Sequence, residues 1–590
     1  MKPYTLRSLL FMAWIVAIPC SAIVTSAAQI TAPVNAEKLS DVDPQSGIEI
    51  TMLPLLGDVP PLGAWPVRIT IRNDSDKDHT WTFQCTSYPY YYDKRSSCRS
   101  YRDLTVEARA TRTFDVYVPL AQQMLNRGYS GVDIDVIGYG MRGAEYRRVG
   151  NYGYSGGSIR SAYVALSESL AVANWESLNE FLGSNRVSLA GTRFNPSAAP
   201  LDSIGWTGVD AIWLTREEWD AMEPAARGAI TDWVNLGGRL FLCAKSHGRE
   251  EDAPYTRSGF GIIRTVYAAG LPDIEPVAFQ HQLTVNSQNL RDTLDSARSF
   301  DNPLRGDLGE IVVNRTLILI FVFMFAFLVG PLNLFVLAKR RQHKLIFITT
   351  PLLSIAASVG LTVMIILQDG TGGEGRRTTF IYVDPASHKS YTVQEQISLT
   401  GLLLNRSFPV SQRFLMAEME VDTRKSNASK GRNRQYDVAD NRLAGDWFVS
   451  RSVQGHYLAQ VKPGRDRVEV SSPREGRPPE IVCGLNTDVR EIFYCDAAGR
   501  YWRAIGLRTG ERREMEPSDP GTFVNFWTQL KNPTDKRVRQ LVDGISARPG
   551  FFYAAGEQAE NHAIPTLPSI RWRQASLGFF GPAVTEGSAP

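Results

Sequence analysis

The chain has 590 residues, of which 43% are hydrophobic and 21% are charged, and its formal net charge is +3 at pH 7. A chain of this length accommodates three or four domains. A charge balance so close to zero excludes the strong positive field of a nucleic-acid-binding protein, and we therefore expect no nucleic-acid partner.

The first residues are typical of an export signal. Lys2 and Arg7 precede an apolar stretch over residues 9–23, and small residues follow at positions 25–28. This pattern predicts a secretory signal peptide over residues 1–28. An uncleaved anchor helix is the alternative, and the context of Cys20, after Ala17-Ile18-Pro19, argues against a lipoprotein.

Residues 45–140, within a predicted domain over residues 29–150, alternate between apolar and polar side chains with a period of two. Val67, Ile69 and Ile71, for example, are separated by Arg68 and Thr70. Such half-buried strands, divided by turn residues, predict a β-sandwich of immunoglobulin type.

Four of the six cysteines fall into two close pairs, Cys85 with Cys98 and Cys483 with Cys495. In an exported chain, this spacing predicts two local disulfides, each stabilising the fold by about 3 kcal/mol. Reduced structural cysteines are the alternative. Neither pair has the spacing of a zinc site, and we expect no metal site.

A tyrosine-rich loop lies between the first two cysteines and contains Tyr88, Tyr90, Tyr91 and Tyr92. Aromatic rings of this kind stack on sugars or contact a protein partner, which makes the loop a possible binding site. The alternative is a loop that packs on its own sheet.

The pattern of apolar residues changes near residue 160. Buried strands are predicted at residues 162–166, 209–214 and 239–243, with a helix at residues 175–182 and a second helix ahead of Gly237-Gly238. Thr215 and Glu218 fit a capping box at a helix start. Strands alternating with helices predict a parallel, doubly wound sheet across residues 160–300.

The segment Asp232-Trp233-Val234-Asn235-Leu236-Gly237-Gly238-Arg239-Leu240 resembles the class I glutamine amidotransferase-like superfamily. The resemblance implies a flavodoxin-like α/β domain. The order of sandwich, amidotransferase-like domain and apolar hairpin with Gly330-Pro331-Leu332-Asn333 also resembles a group of bacterial envelope membrane proteins.

Catalysis in that superfamily requires a cysteine on a tight glycine-flanked turn and a later His-x-Glu pair. Here Phe241 and Lys245 flank Cys243 at two residues, and His281 is followed by Gln282-Leu283. Cys243 and His247 are thus weak catalytic candidates, and we expect a catalytically incomplete domain without a cofactor.

Two apolar runs, residues 316–338 and 345–367, contain no Asp, Glu, Lys or Arg. Each is long enough to cross a bilayer as a helix. The loop between them, residues 339–344, carries Lys339, Arg340, Arg341 and Lys344, which predicts a cytoplasmic loop. Together with the export signal, this places most of the chain in the periplasm of a bacterial inner-membrane protein.

Residues 368–377 have the composition of a linker, and residues 376–590 again alternate in short strand-like runs. We predict a second, periplasmic β-rich domain, with one helix at residues 522–530 or 536–545.

These features predict a membrane-anchored periplasmic scaffold protein that contacts the lipid bilayer and other envelope proteins. The alternative is an accessory protein that binds envelope polysaccharide. A hydrolase or amidotransferase relative that uses Cys243 is the third interpretation.

Overall fold

The computed structural model describes residues 35–39, 42–89, 96–122, 129–151, 162–184, 190–245, 255–268, 302–306, 308, 315–337, 344, 346–410, 414–419, 421, 433–437, 441–471, 478–557 and 561–585. Over these ranges the chain forms thirty strands in five sheets and seven α-helices. The coarser part of the predicted fold class, a β-rich chain of several sheets with two apolar helices, is confirmed. The predicted signal peptide, Tyr90, Tyr91, Tyr92, His247, His281, Lys339, Arg340 and Arg341 lie outside the described residues.

The first eight strands follow the predicted alternation. They are β1 (Glu37–Lys38), β2 (Ile48–Pro54), β3 (Ala64–Asn73), β4 (His79–Tyr88), β5 (Ser97–Val106), β6 (Ala110–Pro119), β7 (Tyr129–Ile137) and β8 (Ala144–Asn151). One sheet has the order β1-β2-β3-β6, and β5-β4-β7-β8 run side by side in a second sheet. Val67 and Ile69 of the first sheet share a core with Trp81 and Phe83 of the second, so the two sheets form a two-layer β-structure.

A mixed sheet follows, with the order β10-β9-β11-β12-β14-β13. Its strands are β9 (Tyr163–Ser167), β10 (Ala190–Phe194), β11 (Ala211–Thr215), β12 (Arg239–Lys245), β13 (Tyr255–Ser258) and β14 (Gly261–Ala268), and its helices are α1 (Glu168–Ser184), α2 (Arg216–Ala221) and α3 (Pro224–Asn235). All its neighbouring strands are parallel except β13, which is antiparallel to β14.

Sequence and structure agree in detail at two points of this sheet. Thr215 and Glu218 form the predicted capping box, in which each side chain accepts a hydrogen bond from the other residue's backbone N–H. Leu170 of α1 packs on one face of the sheet with Trp213, and Trp233 of α3 packs on the other with Leu240. Helices therefore cover both faces.

The apolar runs form two adjacent helices. The first, α4 (Arg315–Phe327), continues as a π-helix over Leu328–Leu337 that contains Pro331, and the second is α5 (Ile346–Asp369). Proline has no N–H to donate, and the altered hydrogen-bond pattern accommodates it. By length and composition both helices could cross a membrane, and almost none of their apolar surface is buried in the protein.

The remaining strands build two further sheets and extend one already described. They are β15 (Gly373–Asp384), β16 (Lys389–Thr400), β17 (Phe408–Pro409), β18 (Phe414–Met419), β19 (Asn433–Asp437), β20 (Arg442–Gly445), β21 (Val453–Pro463), β22 (Val468–Val470), β23 (Glu480–Cys483), β24 (Val489–Cys495), β25 (Tyr501–Leu507), β26 (Arg512–Glu514), β27 (Glu516–Ser518), β28 (Phe551–Gly556), β29 (Ile570–Pro582) and β30 (Val584–Thr585). The nine-stranded sheet has the order β18-β21-β16-β15-β29-β28-β24-β25-β27, and the smaller one β26-β23-β22-β30.

Two helices, α6 (Pro520–Lys531) and α7 (Lys536–Asp543), pack on the nine-stranded sheet through Trp527 and Leu541. The sequence suggested one helix or the other, and the structure contains both. The predicted linker over residues 368–377 is wrong, because α5 extends to Asp369 and β15 already begins at Gly373. Leu402 N–H donates to the Gly370 carbonyl and fixes this short connection.

Strands on the two sides of the helical hairpin join in one sheet. Strand β19 pairs in parallel with β5, with Asn433 opposite Ser97, and β20 and β17 extend the sheet to the order β17-β20-β19-β5-β4-β7-β8. The segments before and after the hairpin are thus one continuous β-structure at this point.

Candidate functional site

A cavity of about 780 Å³ lies between the α/β sheet and α7. One wall is formed by the C-terminal end of α3 and by the amino ends of β11, β12 and β14. The opposite wall is formed by α7 and β21. In parallel α/β sheets, ligands usually bind beyond the carboxyl ends of the strands. This cavity lies at the other edge of the sheet, away from Cys243.

Glycines allow the elements that form this wall of the cavity to pack closely against each other. Gly237 ends α3 with a φ of 113°, a conformation that glycine adopts without steric cost. A Cβ atom added at Gly238 would lie 2.4 Å from the Trp233 ring, and one at Gly261 would lie 2.1 Å from the carbonyl oxygen of Val234. The Gly237-Gly238 pair and Gly261 therefore let β12 and β14 start directly beneath α3.

Arg239, the first residue of β12, is the most deeply buried cation of the cavity, with 8% of its surface exposed. Its Nε donates to the backbone carbonyl of Asp210 at 3.3 Å. Burial lowers the pKa of the Arg239 guanidinium. The nearby Asp210 opposes this shift, and the like charge of Arg537 adds to it. The cavity therefore holds two arginines close enough to repel each other.

Arg257 of β13 contributes a third cation. Its Nε is buried and donates to no acceptor among the described residues. Its guanidinium lies over Gly544, where an added Cβ would be 1.6 Å from Nη2. Arg548 is also near, because its Nη1 donates to the Arg257 carbonyl at 3.0 Å. Burial lowers the pKa of the Arg548 guanidinium, and the charge of Arg257 lowers it further.

Arg537 of α7 lies on the opposite wall. Its side chain hydrogen-bonds to Tyr457, whose pKa is raised by burial. The Nε of Arg537, like that of Arg257, is buried without an acceptor in the described part of the chain. Arg264 is the fourth arginine of the lining.

The acidic groups of the lining are Asp210 and Asp543. The Asp543 carboxylate accepts a hydrogen bond from Lys531 at 2.8 Å, and that of Asp210 accepts one from the Tyr163 backbone N–H at 2.8 Å. The lining therefore carries four arginines and two carboxylates, of which Asp210 lies close enough to Arg239 to stabilise its charge. The guanidinium fork matches carboxylate and phosphate oxygens, so this arrangement can bind an anion.

Cys243 lies near the carboxyl end of β12, in a core that includes Trp213 and Phe241. Burial raises the pKa of its thiol to about 12, with a smaller contribution from Glu218. Because the thiolate is the nucleophile, a thiol with this pKa is unreactive at neutral pH. His247, the other weak catalytic candidate, lies outside the described residues.

The predicted disulfides are corrected by the structure, in which Cys85, Cys98, Cys483 and Cys495 are buried free thiols. Cys85 lies opposite Ser100, and Cys98 lies opposite Ser87. The two cysteines are thus diagonal neighbours, typically about 7–8 Å apart, which exceeds the usual Cα separation of a disulfide. Cys483 and Cys495 lie in different sheets.

The other predicted site residues are only partly described. Tyr88, at the end of β4, is buried rather than presented to a ligand. Lys344 of the predicted cytoplasmic loop is exposed. No group of three or more His, Cys, Asp or Glu side chains in the described ranges could hold a metal ion.

The arginines of the cavity were not identified from the sequence. Arg239 adjoins the Gly-Gly pair and carries a local signal. Arg537, however, comes almost 300 residues later, and nothing in the local pattern indicates that the two meet.

No family model matches the chain, and no curated protein does. A cycloisomaltooligosaccharide glucanotransferase of Paenibacillus sp., solved with cycloisomaltoheptaose, is 9% identical with a TM-score of 0.16, over 35% of this chain and 28% of that one. A calcium-binding mutant of Bacteroides uniformis beta-glucuronidase 2 is 10% identical with a TM-score of 0.14, over 34% and 24%. The matches span about a quarter of those proteins, and scores this low do not indicate a shared fold.

Proposed function

We propose that the chain is a membrane-anchored, non-enzymatic scaffold protein of the bacterial envelope. In this proposal α4 and α5 cross the inner membrane as a hairpin, the loop between them is cytoplasmic, and the remaining domains form a periplasmic platform for other envelope proteins.

The pairing of β5 with β19 is the observation that carries the proposal. A chain that crosses a membrane twice returns to the side from which it started. Two segments that share a sheet must lie on the same side, and a hairpin meets this requirement. The exposed apolar side chains of both helices, such as Phe323 and Phe347, also favour a lipid environment.

Two finer features of the fold are part of the proposal. The two-layer arrangement of β1–β8 supports an immunoglobulin-type sandwich. The parallel strands with helices on both faces support a flavodoxin-like domain related to the glutamine amidotransferases. The burial of the Cys243 thiol favours a relative that has lost its catalytic function.

The short connection between α5 and β15 supports a scaffold role. Gly370 and Gly372 adopt φ values of 70° and 90°, and backbone hydrogen bonds join them to Leu402 and Gly401. The second helix is thereby fixed to the nine-stranded sheet. A platform attached in this way would be held in a defined orientation to the bilayer.

Topology is tested by labelling single introduced cysteines with a membrane-impermeant maleimide in spheroplasts. The native thiols at positions 85, 98, 243, 483 and 495 are buried and give a low background. We expect Arg571→Cys, at a residue whose side chain is 86% exposed, to label in intact spheroplasts. Lys344→Cys should label only after permeabilisation. The reverse pattern would contradict the proposed orientation.

The scaffold role is tested by photo-crosslinking. A photoreactive residue is placed at Val172 or Leu404, which are apolar and 75% and 78% exposed. Reproducible adducts with the same envelope proteins would support a platform, and Ile50, which is fully buried, is the control position. Absence of adducts from a panel of exposed positions would count against it.

A further inference from the structure

The cavity between the α/β sheet and α7 is a concave site that the scaffold proposal does not use. Its volume of about 780 Å³ lies within the range of small-molecule sites. Arg239, Arg257, Arg264 and Arg537 line it from both walls. We propose that this cavity binds a phosphorylated organic molecule, whose phosphate is held by the arginines and whose remaining part lies against the apolar wall.

The unpaired donors are the first step of the argument. The Nε–H groups of Arg257 and Arg537 are buried and meet no acceptor among the described residues. A buried charged donor without an acceptor is destabilising, and native proteins rarely retain one without a functional reason. The arginines that carry these donors line one cavity, so a single anion can contact both guanidinium groups.

The local charge is the second step. Arg239 lies close enough to Arg537 for mutual repulsion, and Arg257 lies close to Arg548 in the same way. The lining has four arginines against two carboxylates, of which Asp210 partly offsets the charge of Arg239 and Asp543 accepts a hydrogen bond from Lys531. An added anion would offset this repulsion, and phosphate offers several oxygens to guanidinium forks from different directions.

The apolar surface of the cavity indicates the rest of the ligand. Trp233, Leu236 and Leu541 also line it. An inorganic anion alone would leave this surface uncovered, whereas a phosphate attached to an organic group would use both kinds of lining. A phosphorylated metabolite and a lipid headgroup share this chemistry.

The position of Gly544 provides a specific test of the geometry. One Cα hydrogen of Gly544 faces the guanidinium of Arg257, and a methyl group in its place would overlap Nη2. The far end of an arginine side chain can move aside, so Gly544→Ala should displace Arg257 while leaving the fold intact. This substitution alters the site without removing a charge.

Binding is measured with the full-length protein in detergent by isothermal titration and thermal shift, at constant ionic strength. The probes are inorganic pyrophosphate, glycerol phosphate and short-chain phosphatidylglycerol. We expect saturable binding of at least one probe, and at least tenfold weaker binding in Arg257→Ala, Arg537→Ala and Gly544→Ala. Arg571→Ala, at an exposed arginine outside the cavity, should bind like the unaltered protein.

Binding of glycerol phosphate would identify a free metabolite as the ligand, and binding of phosphatidylglycerol alone would identify a lipid headgroup. Binding of pyrophosphate alone would contradict an organic ligand. The proposal is overturned if none of the three probes binds saturably. It is equally overturned if binding is the same in Gly544→Ala and Arg257→Ala as in the unaltered protein, with circular dichroism confirming that both variants fold.

Discussion

The Lys389 ammonium donates hydrogen bonds to both carboxylate oxygens of Asp232, at 2.9 and 2.8 Å, across 157 residues of sequence. Asp232 belongs to α3, and Lys389 is the first residue of β16, beyond the helical hairpin. The Tyr391 hydroxyl donates to the same carboxylate at 2.8 Å. Helix α3 is thus attached to the nine-stranded sheet through Asp232.

Replacing Asp232 by Ala should destabilise the protein substantially. Asp232 is buried and Lys389 is partly exposed, so the substitution leaves an ammonium and a buried hydroxyl without their acceptor. We expect a loss of about 2–3 kcal/mol in the free energy of unfolding, measured by urea denaturation in detergent. The exposed Arg216–Asp220 pair is the matched control, and Asp220→Ala should cost less than about 0.5 kcal/mol. Equal effects would contradict the assigned role of Asp232.

Asn333 connects the two apolar helices. It is buried, its Nδ2 donates to Thr350 Oγ1 at 2.9 Å, and its Oδ1 accepts from Thr349 Oγ1 at 2.6 Å. In an apolar solvent such bonds stabilise helix pairs by about 0.6–2 kcal/mol each. We expect Asn333→Leu to lower the unfolding midpoint in detergent, while Leu334→Ala, at an exposed neighbour, leaves it nearly unchanged. A midpoint unaffected by Asn333→Leu would mean that these bonds do not hold the hairpin.

Glu395 makes the stability of the protein depend on pH. Its carboxylate is buried beneath the start of α7 and accepts hydrogen bonds from the N–H groups of Asp535 and Val538. Burial, together with the charge of Asp535, raises the pKa of Glu395 from 4.5 to about 7, although the two hydrogen bonds and Arg537 oppose the shift. Tyr457 is a further titratable neighbour.

The sign of the effect follows from proton binding. Between pH 4.5 and about 7, the folded state binds this proton more tightly than the unfolded state, so stability falls as the pH rises. We expect a loss on the order of 3 kcal/mol between pH 4.5 and pH 8 from this group. Glu395→Gln should abolish that component, so the stability advantage of the unaltered protein over the variant should shrink with pH. Parallel pH profiles for the two proteins would contradict this assignment.

The elements of the fold were largely predictable because their signals are local. The alternation of Val67, Ile69 and Ile71 marks β3, and Thr215 with Glu218 marks the start of α2. Both depend only on side chains within a few residues of each other.

The pairing of distant elements was not predictable, because local patterns do not specify which distant segment a strand or helix will contact. Neither β5 nor β19 carries a pattern that specifies the other, although Asn433 lies opposite Ser97 in the folded protein. The arginine-lined cavity was not predictable either, because Arg257 and Arg537 come together only when α7 packs beside the α/β sheet. The disulfide prediction was wrong because proximity in sequence fixes neither the register of two strands, as for Cys85 and Cys98, nor the sheet that each joins, as for Cys483 and Cys495.

The cysteines provide the last prediction. Burial raises the pKa of the Cys85 and Cys98 thiols to about 12 and raises those of Cys483 and Cys495. We expect these four thiols to resist maleimide at neutral pH in the folded protein and to react after denaturation, with peptide mass spectrometry as the measurement. The diagonal placement of Cys85 and Cys98 should keep them reduced even in an oxidising compartment. A cross-linked peptide joining these two cysteines would show that the register of β4 and β5 differs from the one described.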